Sequence, residues 1–241
     1  LKQTLKNCAA MRIPPRLAFN AHGRGFSALR LEPPKAPRSA VILLHGLGDT
    51  AEGWLSGAHF LLQGLPETRF LLPTAPIQAV TLNGGMAMPS WYDIRGLGER
   101  ADEPCDGIED SRATVKKLIQ EQLDEGIPAD KMILAGFSQG GALSLYTGLL
   151  LEHRLAGIVC MSGYLPFSRS FQPSASALKT PVLHCHGTAD HLVQLPWAEA
   201  GLQRLREVQI SVEWRLYDMG HSACEDELED VTEWIAERLA V

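Results

Sequence analysis

Apolar residues gather in short runs at 40–44, 70–72, 132–135, 158–161, 181–184 and 212–216, and the first five are apolar at most positions. A strand wet on one side alternates in polarity, whereas a strand covered on both faces reads as a continuous apolar stretch. These runs therefore predict strands of a parallel sheet. Between them the apolar positions take the helical three-and-four spacing at 51–62, 107–125, 140–151, 197–206 and 224–239. Glu109 and Asp110 open the second of these helices, and Glu225, Asp226 and Glu227 open the last, where negative charge complements the helix dipole. The acidic run 225–230 is accordingly read as a solvated helix start, not a metal site. Alternation of strand and helix predicts an α/β fold with a mostly parallel, doubly wound sheet flanked by helices.

Two segments stand outside that alternation. Residues 17–20 and 26–31, joined by His22-Gly23-Arg24-Gly25, read as a hairpin at a sheet edge, and Pro33, Pro34 and Pro37 then break the chain. Residues 74–106 have no clear period and are rich in Gly, Pro, Met and Trp; long irregular segments inside a compact domain tend to carry function. No repeat or linker divides the chain. Residues 17–241 are expected to form one domain, after a poorly ordered tail, 1–16, in which Lys2, Lys6, Arg12 and Arg16 stand without an acid.

At 241 residues and 45% hydrophobic, the chain is long enough to bury a substantial core. A net charge of −6 without any block of Lys or Arg argues against nucleic acid or an anionic membrane surface as the main partner. Cys8, Cys105, Cys160, Cys185 and Cys224 are odd in number and form no CxxC pair, which fits neither a disulfide framework nor a zinc site. A cytoplasmic location is expected. The longest apolar stretch, 142–151, falls far short of the roughly 20 residues a bilayer span needs, so no transmembrane segment is expected.

The strongest chemical signal is Gly136-Phe137-Ser138-Gln139-Gly140, a G-x-S-x-G between an apolar strand and a helical run, which is the context that motif requires. Such a turn lifts the serine hydroxyl into the open beside the N–H groups of a helix start. Ser138 is the candidate nucleophile. In an α/β-hydrolase the acid and then the histidine follow the serine in the chain. His221, in Gly220-His221-Ser222 between the last strand and the last helix, is the candidate base; His153, His184, His186 and His191 are its rivals. Among Asp190, Glu199, Glu207, Glu213 and Asp218, position favours Asp190, which follows the 181–184 strand at the carboxyl edge of the sheet.

An oxyanion needs two N–H donors, one from the residue after the nucleophile and one from the loop after an early strand. Gln139 supplies the first, and the glycines of His45-Gly46-Leu47-Gly48-Asp49 free the backbone to supply the second from Leu47. Asp49 or Thr50 also makes a good cap for the helix expected to follow. Leu82, Met86, Met88 and Trp91 give the irregular segment an apolar, pliable character suited to a fatty chain, and core residues under a long loop would read the same way. There is no HExxH, Walker loop, GxGxxG or EF-hand, and His184 and His186 lack further ligands at evident spacing, so no metal is expected. Acyl transfer through serine uses only side chains and backbone donors, and no cofactor is expected.

Together, His45-Gly-Leu-Gly-Asp49, Met88-Pro-Ser-Trp-Tyr-Asp93, Gly136-Phe-Ser-Gln-Gly-Gly141, His186-Gly187 with Asp190, and Gly220-His221-Ser222 resemble the acyl-protein thioesterase and carboxylesterase family, the lysophospholipase-like esterases. The resemblance runs from about Pro37 to the end. It implies an α/β-hydrolase without a large lid domain, acting on acyl thioesters of palmitoylated proteins, on lysophospholipids or on simple esters. Carried over by position, Ser138, Asp190 and His221 match the family's triad, Leu47 and Gln139 its oxyanion donors, and residues 81–91 the segment beside its acyl channel. A broad short-chain carboxylesterase is the alternative within the same chemistry. An inactive hydrolase fold used as a ligand receptor is the alternative outside it.

Overall fold

The computed structural model describes residues 16–21, 27–96, 98 and 103–240. In chain order these form β1 (Arg16–Ala21), β2 (Ser27–Glu32), β3 (Ser39–Leu44), α1 (Leu55–Gly64), β4 (Thr68–Thr74), β5 (Ile77–Val80) and β6 (Met86–Pro89). There follow α2 (Ile108–Asp124), β7 (Met132–Phe137), α3 (Gln139–Leu149), β8 (Gly157–Met161), β9 (Val182–Gly187), α4 (Leu195–Glu207), β10 (Val212–Tyr217) and α5 (Glu225–Leu239). The expected tail, with Cys8, and the loop of the first hairpin lie outside the described residues, except that Arg16 belongs to β1.

Eight strands make one sheet in the order β1-β2-β4-β3-β7-β8-β9-β10. The pairs β1–β2 and β2–β4 are antiparallel and every later pair is parallel, so a hairpin edge is joined to a parallel body. Period-two alternation divides the core in β3: Ala40, Ile42 and Leu44 face the side covered by α2 and α3, while Val41 and Leu43 face α1 and α5. The helices answer with helical stripes, Ile108, Val115, Leu118 and Ile119 on α2 and Val231, Trp234 and Ile235 on α5. No described helix is long and apolar enough to cross a membrane.

Three local expectations change. The first helix begins at Leu55, not at 51, and Asp49 does not cap it. The Ala51 N–H is drawn to Thr74 Oγ1 (3.0 Å) and Asp49 Oδ1 accepts from Thr50 N–H (2.7 Å), so 51–54 is held as a turn. The irregular segment contains an antiparallel ribbon, β5 against β6, turned by Thr81–Asn83 with Gly84 and Gly85 at φ 66 and 80.

The third change concerns Glu227, which is fully buried. It lies four residues before Val231 on the stripe that α5 turns to the sheet, so its position on the helix overrides its charge. Neither carboxylate oxygen makes a well-formed hydrogen bond to a described residue. Burial pushes the carboxyl from 4.5 up to about 8, against a smaller downward pull from the Cys224 amide. A raised folded-state value means that this group's contribution to stability is complete below 4.5 and is lost as pH rises toward 8. Glu227→Gln should therefore gain stability over the wild type progressively across that window, by up to about 1.4 kcal/mol per pH unit. Urea unfolding at a series of pH values checks this; a difference independent of pH would contradict it.

Candidate active site

The residues named from the sequence stand at the carboxyl ends of β3, β7, β9 and β10, the edge where open α/β sheets bind ligands. Between β7 and α3 only Ser138 makes the turn, at φ 53 and ψ −119. That conformation costs a side-chain-bearing residue about 1–3 kcal/mol and persists only when its surroundings enforce it. They do so here through Ser138 N–H to Met161 O (2.8 Å) and Ala142 N–H to Ser138 O (2.9 Å). Gly140 lets the helix start press on the end of β3, since a Cβ there would lie 2.3 Å from Leu44 O. Ser138 is left half-buried at the N-terminus of α3.

The loop after β10 crosses the end of β9 because Gly187 has no side chain; a Cβ would lie 2.4 Å from Met219 O. Ala189 N–H to Met219 O (3.0 Å) and Thr188 N–H to Tyr217 O (2.9 Å) fix the crossing. His221 is thereby carried over the serine, with Nε2 2.8 Å from Ser138 Oγ and Nδ1 2.7 Å from Asp190 Oδ2. Its ring also rests on Phe137, centroids 4.9 Å apart. The carboxylate can only accept, so Nδ1 carries the proton and Nε2 turns a lone pair to the hydroxyl.

Asp190 is held from the other side by Leu192 N–H and Val193 N–H, each 2.9 Å from Oδ1. Its side chain has 0% exposure, against 14% for His221. Burial pushes the Asp190 carboxyl up, but the hydrogen bond and charge of His221 and the two amides outweigh it and hold the group below its ordinary value. The ionised, accepting form of Asp190 is therefore favoured beside His221.

The loop after β3 reaches the same place. A Cβ on Gly46 would lie 3.4 Å from Ser138 Cβ, so this loop borders the serine. Gly48 N–H donates to Pro89 O (2.8 Å) and Asp49 N–H to Gly46 O (3.2 Å), which fixes the backbone on the far side of Leu47. His45 anchors its base: Nε2 accepts from Ala75 N–H (2.9 Å) and Nδ1 donates to Gly46 O (2.6 Å). Burial lowers the pKa of that ring, keeping it neutral in this role.

A family model described as phospholipase/carboxylesterase matches residues 30–239. The chain belongs to the phospholipase/carboxylesterase family. With that membership it is an α/β-hydrolase fold enzyme of the esterase and thioesterase class. Acyl-protein thioesterase 1 of Neurospora crassa is 41% identical over 213 residues, 83% of this chain and 87% of the relative. The protein of the same name from Yarrowia lipolytica is 37% identical over 222 residues, 89% of this chain and 98% of the relative. Among solved structures, acyl-protein thioesterase 2 of Zea mays superposes with a TM-score of 0.78 at 29% identity, covering 90% of this chain and all of that one.

In this member of the phospholipase/carboxylesterase family the four residues expected to meet an acyl chain are placed differently from one another. Met88 is half-buried on β6, and its sulfur lies 3.6 Å from where a Cβ on Gly48 would stand, beside the Leu47 loop. Leu82 leans on the core under the ribbon turn, and Met86 is 65% exposed on the ribbon. Trp91 departs from the expectation, because its indole is fully buried and offers no surface to a ligand. A buried indole N–H needs an acceptor, and Nε1 finds His45 O at 2.8 Å, which turns the ring beneath the segment.

One functional feature escaped the sequence. The Gln139 side chain, expected to matter only through its backbone, is buried: Oε1 accepts from Trp91 N–H (3.0 Å), and Nε2 donates to Tyr92 O (2.7 Å) and Ser90 Oγ (3.1 Å). It ties the helix start to residues 90–92. A long polar residue between the serine and two glycines at a buried helix start was the available signal.

Proposed function

We propose that Ser138 is the nucleophile of a two-step acyl transfer, with His221 as general base and Asp190 as the acid that orients it. The unbroken run from Ser138 Oγ through the His221 ring to Asp190 Oδ2 carries the reading. His221 Nε2 takes the hydroxyl proton as Oγ attacks the acyl carbonyl, and the tetrahedral oxyanion accepts from the Leu47 and Gln139 amides. The imidazolium protonates the departing thiolate or alkoxide. His221 then takes a proton from water as that water attacks the acyl-enzyme carbonyl, and returns it to Ser138 Oγ as the bond from Oγ to the acyl carbon breaks and the carboxylic acid leaves. Over one turnover water supplies OH to the acyl group and, by way of Ser138 and His221, H to the leaving group.

For substrate, the reading is a fatty acyl thioester or ester, carried by an acylated protein or a lysophospholipid. The names of the fungal relatives support the thioester, and Met88 beside the Leu47 loop, with Leu82 and Met86 on the ribbon, supports an apolar acyl group. Cys160, Cys185 and Cys224 form no disulfide among the described residues, which suits a reducing cytoplasm. The test is kcat/KM on p-nitrophenyl esters from acetate to palmitate and on an S-palmitoyl peptide, for wild type and Ser138→Ala. Rates that rise with chain length, include the thioester and vanish in the variant are expected. A preference for acetate or butyrate with no thioester turnover would make this a short-chain carboxylesterase instead.

A further inference from the structure

Behind Asp190 stands a second imidazole. His186, on β9, is fully buried, with Nε2 2.8 Å from Val193 O and 3.6 Å from Asp190 Oδ2. A carbonyl only accepts, so Nε2 carries the proton, and Nδ1 is left without a hydrogen-bond partner among the described residues. The ring is thereby a neutral donor of one fixed tautomer. Val193 is also the residue whose N–H holds Asp190 Oδ1. Its peptide groups thus link the two histidines: His186 Nε2–H to Val193 O, Val193 N–H to Asp190 Oδ1, and Asp190 Oδ2 to His221 Nδ1.

We propose that His186 is a positioning residue for the Asp190–His221 pair: it clamps the Asp190–Val193 turn through Val193 O and aims its N–H edge, as a dipole and not a charge, at Asp190 Oδ2. The inference rests on the roles given above to Ser138, Asp190 and His221. The neutral state is part of the arrangement. A cationic His186 would compete with His221 for the same carboxylate oxygen, whereas a neutral one leaves the carboxylate's charge for the imidazolium that forms during the reaction. Burial lowers the pKa of His186, with Val193 O, Asp190 and Glu199 pulling it up and His221 pushing it down. His184 and Trp214 enclose the ring from β9 and β10, each with its centroid 5.9 Å away.

His186→Phe keeps a ring and removes the donor, and His186→Gln restores an N–H within reach of Val193 O. The measurement is kcat and KM determined separately for each variant, with thermal unfolding beside it. The Phe variant should lose kcat by about 10- to 100-fold, as for a small misplacement of a reacting group, with KM within about twofold. The Gln variant should recover most of the rate. A folded Phe variant with unchanged kcat, or a Gln variant that recovers none of the rate the Phe variant lost, overturns the proposal. Should the Phe variant not fold, side-chain nitrogen NMR of the wild type decides, since a His186 protonated on Nδ1 overturns it equally. Full activity in Ser138→Ala would instead sink the underlying reading, whatever the His186 variants do.

Discussion

Asp190→Asn is expected to lower kcat by up to about 10⁴-fold while the protein still folds. The asparagine amide has no comfortable orientation at this site. If its oxygen faces His221, its NH₂ meets the Leu192 and Val193 N–H groups that now hold Oδ1 at 2.9 Å, donor against donor. If its NH₂ faces His221, the imidazole must turn its lone pair to that side and carry its proton on Nε2, toward Ser138 Oγ, where it cannot act as a base. In the first orientation, leaving the two turn amides without a good acceptor should also cost about 1–3 kcal/mol of stability. Turnover of the best ester and urea unfolding of the same sample separate the two effects. Near-normal turnover in a folded variant would remove Asp190 from the mechanism.

Gly140→Ala is expected to cost at least about 10²-fold in kcat and about 3 kcal/mol or more in stability. The added Cβ would meet Leu44 O at 2.3 Å and His45 O at 2.5 Å, and these are backbone atoms of the strand end, unable to swing aside as a side chain would. The start of α3 must therefore retreat from β3, moving the Gln139 amide and Ser138 away from the loop that carries Leu47. Gly96→Ala, where a Cβ meets nothing within 4 Å, is the control and should be close to neutral. Wild-type kcat in Gly140→Ala would mean that the close approach of α3 to β3 does not set the geometry of the site.

These two substitutions also mark what the sequence could reveal. Local pattern was enough for the sheet: strands buried on both faces leave continuous apolar runs, and β3, β7, β8 and β9 begin within a residue or so of where those runs do. It was enough, too, to name three residues that the fold brings within hydrogen-bonding distance, because chain order and strand ends limit which acid and histidine can follow a G-x-S-x-G. The early start assigned to α1 came from helical spacing alone, with no sign that Thr74, on a strand distant in sequence, would capture the Ala51 amide. The ribbon of β5 and β6 had a turn signal in Asn83-Gly84, masked by a segment that otherwise lacks period. Glu227 was assigned to solvent by its charge although its spacing to Val231 put it on the buried stripe. Trp91 and His186 could not be placed in advance, since each is defined by a partner distant in the chain, 46 and 7 residues away.

The central claim is that Ser138 is the nucleophile, and reaction with a fluorophosphonate followed by peptide mass spectrometry tests it most directly. Inactivation should track the incorporation of one equivalent, the mass should sit on Ser138 alone, and Ser138→Ala should be both unlabelled and inactive. Complete labelling at another residue, or an unlabelled wild type that still turns over ester, would contradict the account.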